Sequence, residues 1–387
     1  MNAPEHTSPP PPPEPPKWRA FAELPRAHGE PLLSCRLRAR AADFVVDEVL
    51  AFGPDGDGEH LLMRVRKTDA NTEWAARRLA SVAGVPAKAI GFAGLKDRNA
   101  VTTQWFSVHL GPRPEPRWDA LADEGIEVLE SHRHRRKLRR GVLAGNRFEL
   151  RLRDLQGDLD AVARRIDVLA NRGLPNYFGP QRFGRDQGNL YRADELFRDQ
   201  ALGLGSARSG RRRQRTGRHL QGLWLSAARS QLFNEVLALR VERGDWHNAL
   251  PGERLQLSGS HSHFLAEAVD AAIRARVESG DAQPTGPLFG AGEPLTTAEV
   301  AAIEADVAAA FPGWIDGLAA AGLKQERRPL PLLPEGLVME RMASVPEPSA
   351  DSGADCAPAT PHLLLRFTLP AGSYATALLR EFATWTE

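Results

Sequence analysis

Apolar residues recur with two different periods along this chain of 387 residues, and the change of period lays out its elements. A period of two marks half-buried strands. It runs through residues 44–50 and 60–66, which are joined by the turn-rich Gly53-Pro54-Asp55-Gly56-Asp57-Gly58 and are therefore expected to pair as a hairpin. The same alternation returns at 104–110, at 147–152 and at 363–369. A helical period follows Asn71-Thr72-Glu73, where a capping residue precedes 74–80 and the pattern stops near Gly84 and Pro86. Further helices are predicted over 158–171, ending at Gly173-Leu174-Pro175, over 226–243, and over the alanine-rich 297–311.

Two stretches fit neither period. The run Pro9-Pro10-Pro11-Pro12-Pro13-Glu14-Pro15-Pro16 can neither pair as a strand nor continue a helix, so residues 1–30 are expected to form a disordered tail. Residues 346–361 have the low-complexity composition of a loop. Strand character at both ends and helical character in the middle predict an α/β (α+β) fold. One domain, 31–171 plus 329–387, is built from both chain ends, and 172–328 is inserted into it.

With 42% hydrophobic and 26% charged residues the composition is globular. No run reaches the roughly 18 apolar residues of a membrane span, and the N-terminus lacks a signal-peptide pattern, so a cytoplasmic protein is expected. Cys35 and Cys356 are far apart without a CxxC partner, and the 11 histidines show no ligand spacing; no metal and no cofactor are expected. The net charge of +1 says little, but the distribution says more. His132-Arg133-His134-Arg135-Arg136-Lys137-Leu138-Arg139-Arg140 and Arg211-Arg212-Arg213-Gln214-Arg215 are cationic runs able to neutralise phosphates, or equally to be solvated surface.

The candidate chemistry lies in Gly91-Phe92-Ala93-Gly94-Leu95-Lys96-Asp97-Arg98-Asn99-Ala100, which sets Asp97 between two cations in a glycine-bounded loop. Opposite charges nearby favour a carboxylate form, and a fixed carboxylate can serve as nucleophile or electrostatic stabiliser. The same residue types also make ordinary solvated turns.

Read as a block, that loop resembles the signature of the TruD family of tRNA pseudouridine synthases, and other runs resemble the same family across most of the chain. They are Asp43-Phe44-Val45-Val46-Asp47-Glu48, Gly145-Asn146-Arg147-Phe148, Pro175-Asn176-Tyr177-Phe178-Gly179-Pro180-Gln181-Arg182-Phe183-Gly184, residues 225–234, and Leu369-Pro370-Ala371-Gly372-Ser373-Tyr374-Ala375-Thr376. The resemblance implies an antiparallel-sheet catalytic domain with a family-specific insert, acting on uridine at the position conventionally numbered 13 of tRNA. It implies Asp97 as nucleophile, Phe148 as aromatic platform, Phe44 as a second apolar wall, and Asn146 as a polar pocket residue; Lys96, adjacent in sequence, is a further substrate-binding candidate or equally a solvated lysine. Where the family carries a lysine before the Asp-Phe-Val run, this chain has Arg38; charge is retained, but a planar fork replaces a point charge.

Phenylalanines in alternating strands are as readily core as ligand contacts, and Asn146 after a glycine is as readily a turn residue. Arg182, flanked by glycine and aromatic residues, suits stacking or phosphate contact, and Arg135, Arg136 and Lys137 suit tRNA contact. The expected partner is tRNA, the expected state a monomer without small-molecule cofactor and without membrane association. A noncatalytic RNA-binding protein and an aspartate-dependent nucleoside or glycoside hydrolase are the rivals; the second lacks a candidate for the second carboxylate. Deleting residues 1–16 is expected to leave the melting temperature unchanged, because a polyproline run buries no core; a large drop on thermal denaturation would show that the segment docks.

Overall fold

The alternating segments become the strands of a large mixed sheet in the computed structural model, which describes residues 17–203, 218–343 and 361–387. Strands β1 (Leu33–Arg36), β2 (Phe44–Leu50) and β3 (His60–Thr68) precede helix α1 (Thr72–Val82). Strands β4 (Ile90–Phe92), β5 (Val101–His109), β6 (Ile126–His134) and β7 (Leu143–Gly157) lead to α2 (Leu159–Arg172) and β8 (Leu174–Pro175). Then come α3 (Gly188–Ala201), α4 (Arg218–Glu242), β9 (Glu253–Leu257), β10 (His263–Ala266), α5 (Ala271–Glu278), β11 (Ala282–Leu288), α6 (Ala298–Ala310), α7 (Pro312–Ala320) and β12 (Glu326–Pro329). The chain closes with β13 (Pro331–Leu332), β14 (Glu335–Met342), β15 (His362–Pro370), α8 (Ala375–Leu379) and β16 (Ala383–Thr386).

Among the described residues two compact units result, one built within 26–176 and 331–387 and one within 177–330 together with residues 17–25. In the first, the strand order is β14-β15-β7-β2-β5-β3-β6, with β1 and β16 attached beside β7 and β4 against β5. Most neighbours are antiparallel; β2 with β5 and β1 with β16 are parallel. Strand β15, nearly 220 residues downstream of β7 in the chain (Arg366 opposite Glu149), pairs with it over Leu363 to Pro370, so both chain ends do share one sheet. The expected β2–β3 hairpin does not form. Strand β5 lies between them, parallel to β2 and antiparallel to β3, because its long ladder from His60↔His109 to Thr68↔Val101 satisfies the β3 edge that a hairpin would have used.

Helix α1 buries Ala75, Ala76, Leu79 and Ala80 against Leu61, Met63, Val65, Phe106 and Val108, a cluster built from the inward parity of β3 and β5. Helix α2 is capped by Asp158, whose carboxylate accepts from the Asp160 and Ala161 amides, and its Asp160 pairs with Arg341 of β14. At the start of β2 the fully buried Asp43 accepts two-pronged from Arg153 of β7 at 2.9 Å, which pins the β2–β7 register.

The second unit packs α3, α4, α6 and α7 about a four-stranded sheet, β10-β9-β11-β12. Residues 17–30, expected to continue the tail, are built into the fold. Trp18 packs its ring 5.3 Å from Trp314 and donates its indole N–H to Gln187, aromatic anchorage that the proline-rich composition upstream had masked. The polyproline run, the cationic run 211–215, Cys356 and residues 346–360 lie outside the described residues. Among the described residues no helix is long and apolar enough to cross a membrane.

Gly145 stands opposite Pro370 where β7 meets β15, and a Cβ there would lie 2.5 Å from the Leu369 carbonyl oxygen. Only glycine allows that approach. Gly145→Ala is expected to destabilise the protein by about 1–3 kcal/mol, measured by denaturant unfolding; an unchanged midpoint would show that the strands part without cost.

Candidate active site on the central sheet

Strand register sets the floor of the site. Lys67, Thr102, Val46, Phe148 and Phe367 are successive partners across β3, β5, β2, β7 and β15, and so share one face of the sheet. One rung along, Glu48 pairs with Asn146 and Asn146 with Leu369, while Gln104 reaches Glu48 at 3.4 Å. Polar and charged side chains thus interrupt an apolar face at adjoining positions.

The β4–β5 loop, residues 93–100, is fastened to this floor by its backbone. Gln104 donates to the Gly94 carbonyl at 3.2 Å, the Lys96 amide donates to the Thr72 hydroxyl at 3.0 Å, and that hydroxyl donates to Gln104 at 2.9 Å. The Lys67 ammonium donates to the carbonyls of Ala70 at 2.6 Å and of Asp97 at 3.0 Å. The Lys96 ammonium turns inward to the buried Glu48, at 2.5 Å, and Glu48 also accepts from the Trp105 amide. Three loop residues are held by groups whose own positions are fixed on strands or at the start of α1.

Asp97 keeps its carboxylate at the surface of this assembly, with 36% of its side chain exposed, where it accepts from Arg38 at 2.7 Å. Arg38 follows β1 in the left-handed conformation, φ 56°, and lays its guanidinium 4.0 Å over the Phe44 ring while also meeting Glu387 at 2.8 Å. A non-glycine residue in that conformation carries local strain, tolerated here by its contacts on three sides.

The sequence-predicted residues separate into groups. Asp97, Arg38 and Phe44 are brought into contact, and Phe148 lies 6.3 Å from Phe44 edge to face. Phe148 is stacked on Phe367, its cross-strand partner, at 5.2 Å and is 7% exposed, so one ring face is already covered. The Asn146 carboxamide oxygen and the Thr102 hydroxyl are buried without a hydrogen-bond partner. Lys96 faces Glu48 instead of the Asp97 carboxylate. In the basic run, Arg135 is neutralised by Asp57 at 2.6 Å and Lys137 donates to the Lys88 carbonyl, while Arg136 is exposed. Arg182 belongs to the other unit, where it bonds Ser226 and lies 5.4 Å over the Phe178 ring. Among the described residues no group of three or more histidine, cysteine, aspartate or glutamate side chains is placed to hold a metal ion.

Sequence reasoning missed Lys67, Thr72 as a loop ligand, Gln104 and the inward aim of Glu48. A signal existed for three of them: Lys67, Glu48 and Gln104 occupy the inward parity of otherwise apolar alternations, Leu61-Met63-Val65-Lys67, Phe44-Val46-Glu48 and Gln104-Phe106-Val108, whereas Thr72, at the start of α1, carried none. Burial pushes the Lys67 ammonium down to about 8, opposed mainly by the Asp97 charge.

A rigid, accessible carboxylate beside a cation, next to an aromatic and apolar floor with unfilled polar atoms, can attack or stabilise a ring substrate. The profile of the family tRNA pseudouridine synthase D (TruD) matches residues 27–197 and 213–382. A tRNA pseudouridine synthase D of Nitrosococcus oceani is 46% identical over 352 residues, 91% of either chain. Those of Xanthomonas axonopodis pv. citri and Methylococcus capsulatus are 46% identical (92% of this chain, 94% of the relative) and 43% identical (93% and 94%). A crystal structure of a Methanosarcina mazei protein described as a tRNA pseudouridine synthase D superposes with a TM-score of 0.61 at 22% identity, over 92% of this chain and 95% of that one, and shows the common fold. The class so defined is that of the pseudouridine synthases, which are isomerases. This chain belongs to the TruD family.

The depressed Lys67 value has a sign. The unfolded lysine, near 10.5, binds its proton more tightly than the folded one, near 8, so burial of the charge costs stability below pH 8 and that cost is relieved as pH rises toward 10.5. The stability difference between wild type and Lys67→Met is therefore expected to shift in favour of wild type between pH 8 and 10, read by denaturant unfolding at each pH. A difference independent of pH would show that Lys67 is not buried as a charge.

Proposed function

We propose that the protein converts uridine to pseudouridine in tRNA, at the position conventionally numbered 13, with Asp97 as the nucleophile, acting in the cytoplasm as a monomer without a cofactor. The 26–176 and 331–387 unit would be catalytic, and the 177–330 unit an insert contributing RNA contacts through Arg182. The observation that carries the reading is the division of labour at Asp97: its backbone is tied down by Lys67 while its carboxylate remains reachable beside Arg38.

The reaction breaks the bond from the ribose to N1 of uracil and makes one to C5; the C5 proton leaves and N1 gains one, so no redox partner is needed. The uridine must first leave the base stack. Asp97 then takes up the detached half covalently, while the base is held for rotation. Support for a base on this floor comes from Asn146, whose unpaired carboxamide oxygen can accept from uracil N3–H, and from the Phe44 and Phe148 rings that wall it. Since Phe148 already stacks on Phe367, only an edge or its remaining face serves as platform. Arg38 holds the carboxylate in place and, being a planar donor fork, can also bind a phosphate of the flipped nucleotide. For phosphates of the wider tRNA, Arg136 is the exposed candidate, with Arg135 and Lys137 contributing only on exchanging their present partners.

Asp97→Asn keeps the shape and removes the charge. It is expected to abolish pseudouridine formation, mapped in bulk tRNA incubated with the purified protein, while tRNA affinity changes modestly. Conversion near the wild-type rate by the folded variant would refute the nucleophile. Unmodified tRNA with wild type would favour an RNA-binding protein, and free uracil a hydrolase.

A further inference from the structure

A cavity of about 340 Å³ opens beside the Asp97 loop, and none of the chemistry above uses it. Asp69, Asn71, Trp74, Arg77, Arg98 and Glu124 line it. Its volume is that of a small-ligand site. Its composition is uneven in an informative way: one half-buried aromatic ring, two exposed guanidiniums, and an exposed carboxylate and carboxamide. Asn71 occupies the N-cap position of α1, yet its side chain makes no capping bond, so its amide is left to the cavity. Asp69 is held in the left-handed conformation at φ 51°, and its carbonyl accepts from Arg98 at 3.4 Å. Glu124 is fixed by a two-pronged contact with Arg78, at 2.6 Å to the Arg78 Nε, which gives the cavity a rigid wall.

The cavity and Asp97 are mechanically one piece. Arg98 is the next residue after Asp97, about 3.8 Å away along the backbone, and Lys67 bonds both the Asp97 carbonyl and that of Ala70, which also lines the cavity. Asp97 and Arg98 are consecutive residues, within the span of one nucleotide step, so an RNA strand that delivers one nucleotide to Asp97 can bring its neighbour to Arg98.

We propose that this cavity is a second nucleotide site, taking a base adjacent to the target uridine, stacked on Trp74, with its phosphate held between Arg77 and Arg98. The proposal rests on the reading of Asp97 as the reacting group. An aromatic face accepts any base, while Asp69 and the Asn71 oxygen offer acceptors that favour a base bearing an exocyclic amino group. Seating two neighbouring nucleotides in separate sites unstacks them from each other, and the energy gained on Trp74 offsets part of that unstacking.

The test is equilibrium tRNA binding by wild type, Trp74→Ala, Trp74→Phe and Arg77→Ala, using intact tRNA and tRNAs carrying one abasic nucleotide at each position neighbouring the target. One abasic position is expected to weaken wild-type binding roughly tenfold, and Trp74→Ala to bind that tRNA and the intact one equally, because the lost stack is shared. Trp74→Phe should recover most of the discrimination. Arg77→Ala, which leaves the core cluster untouched, should reduce the slope of log affinity against log salt by about one. Loss of affinity in Trp74→Ala that is the same for every tRNA, or the absence of any sensitive position, would overturn the second site. Product analysis on the same samples separates the two readings: pseudouridine formed without coupling to Trp74 sinks only this site, whereas coupling without pseudouridine sinks only the role of Asp97.

Discussion

The structure depends on the way Lys67 is spent. Its ammonium, with no exposed surface, bonds two backbone carbonyls, one at the mouth of α1 and one at Asp97. Burying an ammonium is costly, and burial, with a smaller contribution from the nearby Lys96 charge, lowers its proton affinity. What it achieves is to immobilise the main chain of the Asp97 loop without touching the carboxylate. Were Lys67 paired with the Asp97 side chain, the acid would be positioned but masked; tied by its carbonyl, Asp97 stays available to Arg38 and to solvent.

That economy runs through the rest of the site. Thr72 and Gln104 also hold the loop by main-chain groups, and Lys96 is removed from competition by Glu48. The charged side chains therefore form a layer beneath the loop, and the loop presents a single carboxylate above it. The sheet supplies the rigidity for this layer, since every one of its members but Thr72 and Lys96 belongs to a strand whose register is fixed on both sides by neighbours.

Cation-rich sequence proved a poor guide to free cation. Arg133 is consumed by carbonyls of the β5–β6 connection, Arg135 and Lys137 by Asp57 and the Lys88 carbonyl in fastening the β6–β7 connection, and Leu138 in the midst of the run is buried. Gly91 lies against that connection so closely that a Cβ would meet the Leu138 carbonyl at 2.5 Å, so the basic segment is part of the platform that carries β4 and the Asp97 loop. Charge density along a chain counts donors; it does not say which carbonyl or carboxylate will reach them first.

Period two in the sequence was enough to mark β2, β3, β5, the centre of β7 and β15, and helical period enough for α1, α2, α4 and α6, because side-chain alternation follows directly from backbone geometry. The loop around Asp97 was legible too, as a glycine-bounded concentration of charge. Pairing was not. A short connection between 44–50 and 60–66 suggested a hairpin, and only the assembled sheet shows β5 entering between them. Nor could spacing reveal that Arg38 meets Asp97 across 59 positions, or that Phe148 stacks on Phe367. The sequence by itself determined which residues alternate, where helices begin and where an acid stands among cations, all of them local consequences of the backbone. Tertiary structure alone decided which of those charges face inward and which side chain holds the loop, because long-range strand register brings distant residues onto one face and burial then selects their partners.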